Sequence, residues 1–210
     1  MDANQETPFN PFSMDEDCTN CPGLADARER VVHGYGDVGA DFLFVGETPS
    51  AATERTGVPF TGDAAGERLQ SILGRLGLSA SPPDAAEPDL DNVFLTYLAR
   101  CRHPDRPATD DEVATCEPYL NAEIRMINPE ILVPVGQRAL AELGTEYTTT
   151  RAEDLDVAAQ HATEIRGRGF ELVPMVHPAE QSDEQTEVFV ESFSALLGRD
   201  YRQTKGRRGR

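Results

Sequence analysis

Four short apolar runs, separated by segments with helical periodicity, constrain the fold of this chain more than any other feature. A continuous apolar run that ends at a glycine or a turn is typical of a buried strand. Between the first two runs, Leu69, Ile72 and Leu73 recur at the spacing of an amphipathic helix. Strands that alternate with helices favour a parallel sheet covered on both faces. The four runs are Asp41–Val45, Val93–Leu98, Ile131–Val135 and Glu171–Val176.

The length of 210 residues suits one domain with a sizeable core. We predict an α/β fold, a three-layer α/β/α sandwich around a central four-stranded parallel sheet. The predicted domain spans residues 17–198, preceded by a mobile acidic arm over 1–16 and followed by a basic tail over 199–210. Residues 46–66 are predicted to form a loop, and a capping box at Thr109–Glu112 should open a long helix.

Polar or unusual residues follow each predicted strand. In parallel sheets, ligands bind outside the carboxyl ends of the strands. We therefore expect the functional site at this edge of the sheet. The four strand ends are Gly46-Glu47, Thr96-Tyr97, Gly136-Gln137 and His177-Pro178.

The charge balance is strongly acidic, with 37 Asp and Glu against 19 Lys and Arg and a formal net charge of −18. Such a surface repels DNA at ordinary ionic strength. At about 1 M salt the Debye length falls to ~3 Å and the repulsion nearly vanishes. The chain is therefore either an acidic protein that never meets nucleic acid or a halophilic protein from a very salty cytoplasm. The single lysine, Lys205, favours the second interpretation.

Membrane and export signals are missing from the sequence. No stretch approaches the ~18 apolar residues of a membrane span. Residues 1–17 are acidic and contain no apolar signal core. We therefore expect a soluble, cytoplasmic, monomeric protein with no membrane contact.

The four cysteines form two pairs, Cys18 with Cys21 and Cys101 with Cys116. A cytosolic location argues against a disulfide framework, and the even number and clustered spacing favour a metal site. A tetrahedral zinc site and a cubane iron–sulfur cluster are both chemically possible, and the spacing does not choose between them. The remaining alternative is four thiols that bind no metal.

The cysteine pattern and four short motifs together resemble the iron–sulfur uracil-DNA glycosylases, family four of the uracil-DNA glycosylase superfamily. Each motif is weak alone, but four in the right order on successive strand ends are specific. The resemblance spans about residues 18–197. Its motifs are Gly46–Ser50, Gly57–Gly62, Cys101–Pro104 and His177–Ala179.

This resemblance implies a DNA repair enzyme that flips uracil out of DNA and hydrolyses its N-glycosidic bond, leaving an abasic site. It implies a [4Fe-4S] cluster bound by all four cysteines. It also implies a base pocket at the first, second and fourth strand ends. The expected substrate-binding residues are Gly46, Glu47, Thr48, Pro49, Phe60, Tyr97 and His177.

The chemistry of the reaction suggests roles for three of these residues. The extruded base needs an aromatic face, for which Phe60 is the best candidate; its alternative is a core phenylalanine. Bond cleavage leaves negative charge on uracil, and His177 can donate a hydrogen bond to the carbonyl. Glu47 can act as a general base or stabilise the oxocarbenium ion. The predicted catalytic residues are therefore Glu47 and His177.

This chain departs from the family-four pattern at several positions. Tyr97 stands where the family has an asparagine that binds the uracil edge, and a phenol cannot present the paired groups of an amide. Thr48 and Ser50 replace the usual alanine and glycine. The segment 61–66 resembles that of family five, which tolerates more bases, whereas Glu47 is the family-four residue.

Arginines flank the third cysteine in an otherwise acidic chain. Arg100, Arg102 and Arg106 are predicted to contact DNA, with an ion-paired surface as the alternative. His103, in the same segment, is interpreted as an ordinary loop residue. The basic tail, which includes Lys205, is also suited to phosphate contact.

Three other functions compete with uracil excision. The first is a glycosylase with broader specificity for deaminated bases such as hypoxanthine and xanthine, which Tyr97 favours. The second is a non-catalytic uracil-binding or DNA-binding relative, against which the presence of both Glu47 and His177 argues. The third is a metal-stabilised nucleotide-handling domain; the absence of a G-x-x-x-x-G-K-[ST] segment excludes a P-loop enzyme.

Overall fold

The structure, a computed structural model, describes residues 7–202. The ends of the predicted acidic arm (1–6) and basic tail (203–210) lie outside the described residues. The elements in chain order are α1 (Pro22–Ala25), β1 (Tyr35–Gly36), β2 (Phe42–Gly46), α2 (Ala51–Thr56), α3 (Ala64–Arg75), β3 (Val93–Tyr97), α4 (Asp110–Ile127), β4 (Ile131–Pro134), α5 (Gln137–Tyr147), a 3-10 turn (Ala152–Asp154), β5 (Ile165–Arg166), β6 (Glu171–Leu172) and α6 (Asp183–Leu197).

The strands form one six-stranded sheet in the order β1-β3-β2-β4-β6-β5. The four predicted strands, β2, β3, β4 and β6, pair in parallel at its centre, as expected. The predicted total of four strands is wrong, because β1 and β5 add antiparallel edges. Each edge strand has only two residues, one of which is Gly36 or Arg166, so neither lies in a continuous apolar run of the sequence.

The residues of β2 alternate between the two faces of the sheet, as the pleat of a strand requires. Phe42 and Phe44 pack with residues of α3 and α6, including Leu69 and Phe193. Leu43 and Val45 pack on the other face with residues of α4 and α5. All four of these β2 side chains are fully buried, with helices on both faces of the sheet, so the predicted α/β/α sandwich is confirmed.

The register of the central strands brings their carboxyl ends to one edge. Gly46 of β2 lies opposite Tyr97 of β3. On the other side, the Val135 bridge to Met175 extends β4 and β6, and the Gly136 N–H donates to the Met175 carbonyl at 2.8 Å. The residues after all four strands therefore meet at the edge where a ligand site was expected.

Helix signals account for one correct prediction and one omission. Thr109 and Glu112 form the predicted capping box of α4. The predicted loop 46–66 is wrong in part, because it contains the six-residue helix α2. The Ser50 hydroxyl accepts the Thr53 N–H and caps this helix, which is too short to show a periodic apolar face.

The described parts of the two predicted terminal segments contact the domain. Phe9 and Phe12, in the predicted mobile arm, pack against Tyr35 and Phe94 respectively. At the other end, Tyr201 donates its hydroxyl to Asp41 at 3.0 Å. No helix among residues 7–202 has the length and apolar character needed to cross a membrane.

Candidate active site and cysteine centre

Gly46 is the last residue of the central strand β2, and Glu47 follows it at the edge of the sheet where the candidate site lies. The Leu98 N–H donates to the Gly46 carbonyl at 2.8 Å, and the Ala99 N–H donates to the Glu47 carbonyl at 3.0 Å. A side chain at Gly46 would place its Cβ 2.7 Å from Phe60 Cζ and 2.9 Å from Tyr97 Cδ1. Only glycine therefore lets the two rings lie against the end of this strand.

Phe60 lies in the loop between α2 and α3 and is held by Tyr97. Its φ is +56°, a left-handed conformation that is uncommon for a bulky residue. The Phe60 N–H donates to the Tyr97 hydroxyl at 3.0 Å, and the ring centroids lie 4.9 Å apart. The Phe60 ring is 5% exposed, so its surroundings fix its orientation.

Tyr97 is fully buried, and burial raises its pKa to about 12, so that the phenol stays neutral. Its hydroxyl also hydrogen-bonds the Thr53 side chain. The sequence suggests that Tyr97 contacts the base edge. In the structure the hydroxyl is used instead to hold the Phe60 loop, a contact that the sequence does not reveal.

His177 follows the fourth parallel strand, and its imidazole has a defined tautomer. Its Nδ1 accepts the Ala179 N–H at 3.2 Å, so the neutral ring carries its proton on Nε2. Burial lowers the pKa of His177, opposed by the charges of Glu180, Asp63 and Glu47. The imidazole is therefore neutral near pH 7 and offers an Nε2–H donor.

Glu47 and His177 lie within electrostatic range of each other at this edge of the sheet. The Glu47 carboxylate acts on the imidazole although 130 residues of chain separate them, by subtraction of their numbers. Gly136 lies beside the ring, since a Cβ there would be 3.6 Å from His177 Cβ. The half-buried Thr48 and buried Pro49 follow Glu47 at the same edge.

Asp63 is a site residue that the sequence did not single out. Its Oδ1 accepts the Gly66 N–H at 2.9 Å and caps α3. Its Oδ2 accepts the Ser50 hydroxyl at 2.5 Å, which joins the start of α3 to the start of α2. Asp63 also acts on the pKa of His177, so it lies near the imidazole. An aspartate before a helical segment was the available signal.

The structure corrects the predicted DNA contact at Arg100. This side chain is 1% exposed and pairs at 2.6 Å with Glu123, which is equally buried. Arg100 therefore cannot reach DNA, and that prediction is wrong. Arg102 pairs with Glu54 at 3.3 Å, and Arg106 pairs with Glu112 at 2.7 Å.

All four cysteines line one cavity. Every sulfur has a hydrogen-bond partner close by. Burial raises the pKa of Cys101 to about 11 against the lowering effect of Arg28, and burial together with neighbouring thiolates raises that of Cys21. The pairs are Tyr119 with Cys18, Thr115 with Cys21, Arg28 with Cys101 at 3.6 Å, and the Arg100 N–H with Cys116 at 3.4 Å.

The four thiols around one space are the candidate ligands of a metal centre. Within residues 7–202, no group of three or more histidine, cysteine or acidic side chains is arranged to hold a metal ion. Arg100 supports an anionic centre at this position. Its Nε and Nη1 are buried without an oxygen or nitrogen acceptor, and its charge interacts with Cys116.

The fold is that of an α/β protein whose candidate site lies at the carboxyl ends of its parallel strands. A family model described as the uracil DNA glycosylase superfamily matches residues 33–197, and the chain belongs to this superfamily.

Relatives of two types resemble the chain. A Type-4 uracil-DNA glycosylase from Pyrobaculum aerophilum is 34% identical over 167 residues, covering 78% of this chain and 79% of the relative. The Type-4 enzyme of Thermotoga maritima is 31% identical, with coverages of 77% and 76%. A Type-5 uracil-DNA glycosylase from Mycobacterium tuberculosis is 32% identical, with coverages of 79% and 70%.

The Tyr97 hydroxyl should contribute to the shape of the site as well as to stability. Replacing it in Tyr97→Phe leaves the buried Phe60 N–H without a partner, which costs about 1–3 kcal/mol. We expect a lower midpoint of chemical unfolding and faster hydrogen exchange at Phe60. The matched control Tyr147→Phe removes a longer hydroxyl contact, to Asn121 at 3.4 Å. Equal effects of the two variants would contradict a special role for Tyr97.

Proposed function

We propose that this chain is a monofunctional uracil-DNA glycosylase that removes uracil from DNA and leaves an abasic site. Membership of the superfamily and similarity to uracil-DNA glycosylases support this proposal. The observation that carries it is that Glu47 and His177, whose Nδ1 accepts the Ala179 N–H, both follow parallel strands at the same edge of the sheet.

The proposed reaction breaks the bond between C1′ of the sugar and N1 of uracil. The bonding electron pair leaves with the base, and the His177 Nε2–H donates to the carbonyl on which negative charge develops. A neutral donor of fixed orientation suits this task. Water adds to C1′, and the Glu47 carboxylate stabilises the positive sugar or accepts the proton of the water.

The proposed base site uses Phe60 as its aromatic wall. The ring is already oriented by the Tyr97 contacts on one side, so little ordering is needed when the base arrives. Asp63 supports the site indirectly, because it joins α2 to α3 on either side of the Phe60 loop. An aromatic wall that is already in place suits a base that has been flipped out of the duplex stack into this site.

A broader range of deaminated bases is the second candidate. The Tyr97 hydroxyl already hydrogen-bonds Phe60 and Thr53. Tyrosine also has no side-chain amide with which to bind the base edge. Discrimination between bases would then rest on backbone groups and pocket shape. Resemblance to both Type-4 and Type-5 relatives is consistent with either range.

We also propose that Cys18, Cys21, Cys101 and Cys116 bind a [4Fe-4S] cluster. The shared cavity, the donor beside each sulfur and the buried guanidinium of Arg100 support this assignment. When bound, the cluster supplies a rigid anionic cross-link between the N-terminal segment and the loop after β3. The reaction at Glu47 and His177 needs no electron from it.

Uracil excision should depend on the Glu47 carboxylate. We expect Glu47→Gln to lower the single-turnover rate on uracil-containing duplexes by about 10²–10⁴-fold, because the amide cannot accept a proton. Oligonucleotides with one uracil, hypoxanthine or xanthine, followed by alkaline cleavage, measure both rate and base range. Parallel assays in dilute buffer and in molar KCl test the acidic surface. An unchanged rate in Glu47→Gln would remove Glu47 from the mechanism.

The rate should fall as the pH drops below the lowered pKa of His177. Protonation of Nδ1 ends its acceptance of the Ala179 N–H and turns the ring away from its aligned position. We therefore expect a plateau near neutral pH and an acidic loss centred below the ordinary value of 6.5. In His177→Gln the rate should be lower and this acidic loss absent. The same acidic loss in that variant would assign it to another group.

The cysteine centre should contain iron and sulfide in equal amounts after anaerobic purification. Cys116→Ser should reduce both contents, because a four-thiolate cluster loses one ligand. Thr115→Val, which removes only a hydroxyl beside Cys21, is the matched control and should retain the metal. Stoichiometric zinc without sulfide would overturn the cluster assignment but leave the proposed activity intact.

A further inference from the structure

The segment 98–102 touches first the end of β2 with the Glu47 loop, which is residues 47–50 between β2 and α2, and then the cysteine centre. The N–H groups of Leu98 and Ala99 donate to the carbonyls of Gly46 and Glu47. The next three residues face the cysteine centre and the helix after the loop: Arg100 donates to Cys116, Cys101 lines the centre, and Arg102 pairs with Glu54. One short segment therefore connects the proposed metal ligands to the proposed catalytic loop.

Glu54 is the unusual member of this arrangement. Its side chain is 1% exposed although it lies on the short helix α2. Its Oε2 accepts Arg102 Nη1 at 3.3 Å, and its Oε1 accepts the Glu29 N–H at 3.3 Å. A buried carboxylate is tolerated when it is paired and hydrogen-bonded, and its partners here lie in two separate segments.

The position of α2 makes this ion pair relevant to the site. Ser50, three residues after Glu47 by subtraction of their numbers, caps this helix, so the orientation of α2 sets the course of the Glu47 loop. Ser50 holds the start of the helix through Asp63, and Glu54 in its first turn holds it through Arg102. The loop is thus held between the Phe60 side of the site and the cysteine side.

We propose that Glu54 and Arg102 are positioning residues that hold the Glu47 loop in register with the cysteine centre. This inference rests on the proposed function, because it gives Glu47 a catalytic task. Arg102 then acts within the protein, through Glu54, rather than as the phosphate contact that the sequence suggests. A small displacement of a catalytic group is sufficient to lower a rate markedly.

The test compares Glu54→Gln, Arg102→Gln and the double variant with wild type. We expect each to lower the single-turnover rate about tenfold, and the double variant to lose no more than one single variant. Iron content and affinity for a duplex carrying the uncleaved analogue 2′-fluoro-2′-deoxyuridine should be unchanged. The exposed pair Arg75 and Glu187 joins α3 to α6 away from this segment, so Arg75→Gln is the control with an unchanged rate.

Hydrogen exchange provides a readout that does not need activity. The Leu98 and Ala99 amides should exchange faster in Glu54→Gln, because they bond the loop carbonyls, whereas amides of α6 should not change. If the wild-type protein removes no base, the proposed function fails. Hydrogen exchange then still tests the contact between segment 98–102 and the Glu47 loop. Unchanged exchange and rate in Glu54→Gln would overturn the inference. Weaker DNA binding in Arg102→Gln alone would make Arg102 a phosphate contact instead.

Discussion

Parallel pairing of β2 with both β3 and β4 is the constraint on which the rest of this structure depends. Five residues of β2 are in register with β3 and four with β4, so three strand ends are fixed at one edge by backbone hydrogen bonds. Side chains from distant parts of the sequence then meet without needing long loops. Glu47 and His177 follow the first and last of the four parallel strands in chain order, yet the Glu47 carboxylate lies near enough to oppose the lowering of the His177 pKa.

Buried charge is the second main feature of the structure, and the most deeply buried ion pair lies beside the cysteines. Arg100 and Glu123 are both almost fully buried, an arrangement that seldom adds stability compared with apolar residues of the same volume. The buried pair is accounted for if the Arg100 guanidinium also faces an anionic centre. Arg100 contacts Thr96 of β3, Glu123 of α4 and the sulfur of Cys116, so one side chain joins sheet, helix and centre.

Helices and strands that follow from local periodicity could be predicted from the sequence. Features that depend on tertiary contacts could not. The four parallel strands leave continuous apolar runs, and the α4 capping box is a local pattern. The edge strands and α2 are too short to leave such a trace. Among site residues, the strand-end positions of Glu47 and His177 could be predicted from topology. The burial of Arg100 and the use of the Tyr97 hydroxyl could not, since each depends on a partner far away in the chain.

The arginines around Cys101 bear on how an acidic protein can approach DNA. Each of the three already neutralises a glutamate, so this segment offers little net positive charge to phosphates. A protein that neutralises few phosphates releases few counterions when it binds. Its affinity for DNA therefore falls only slowly as the salt concentration rises. Salt also screens the repulsion between the excess carboxylates and the phosphates. A rise in ionic strength should therefore cost this chain less affinity for DNA than it costs a protein with a basic binding surface.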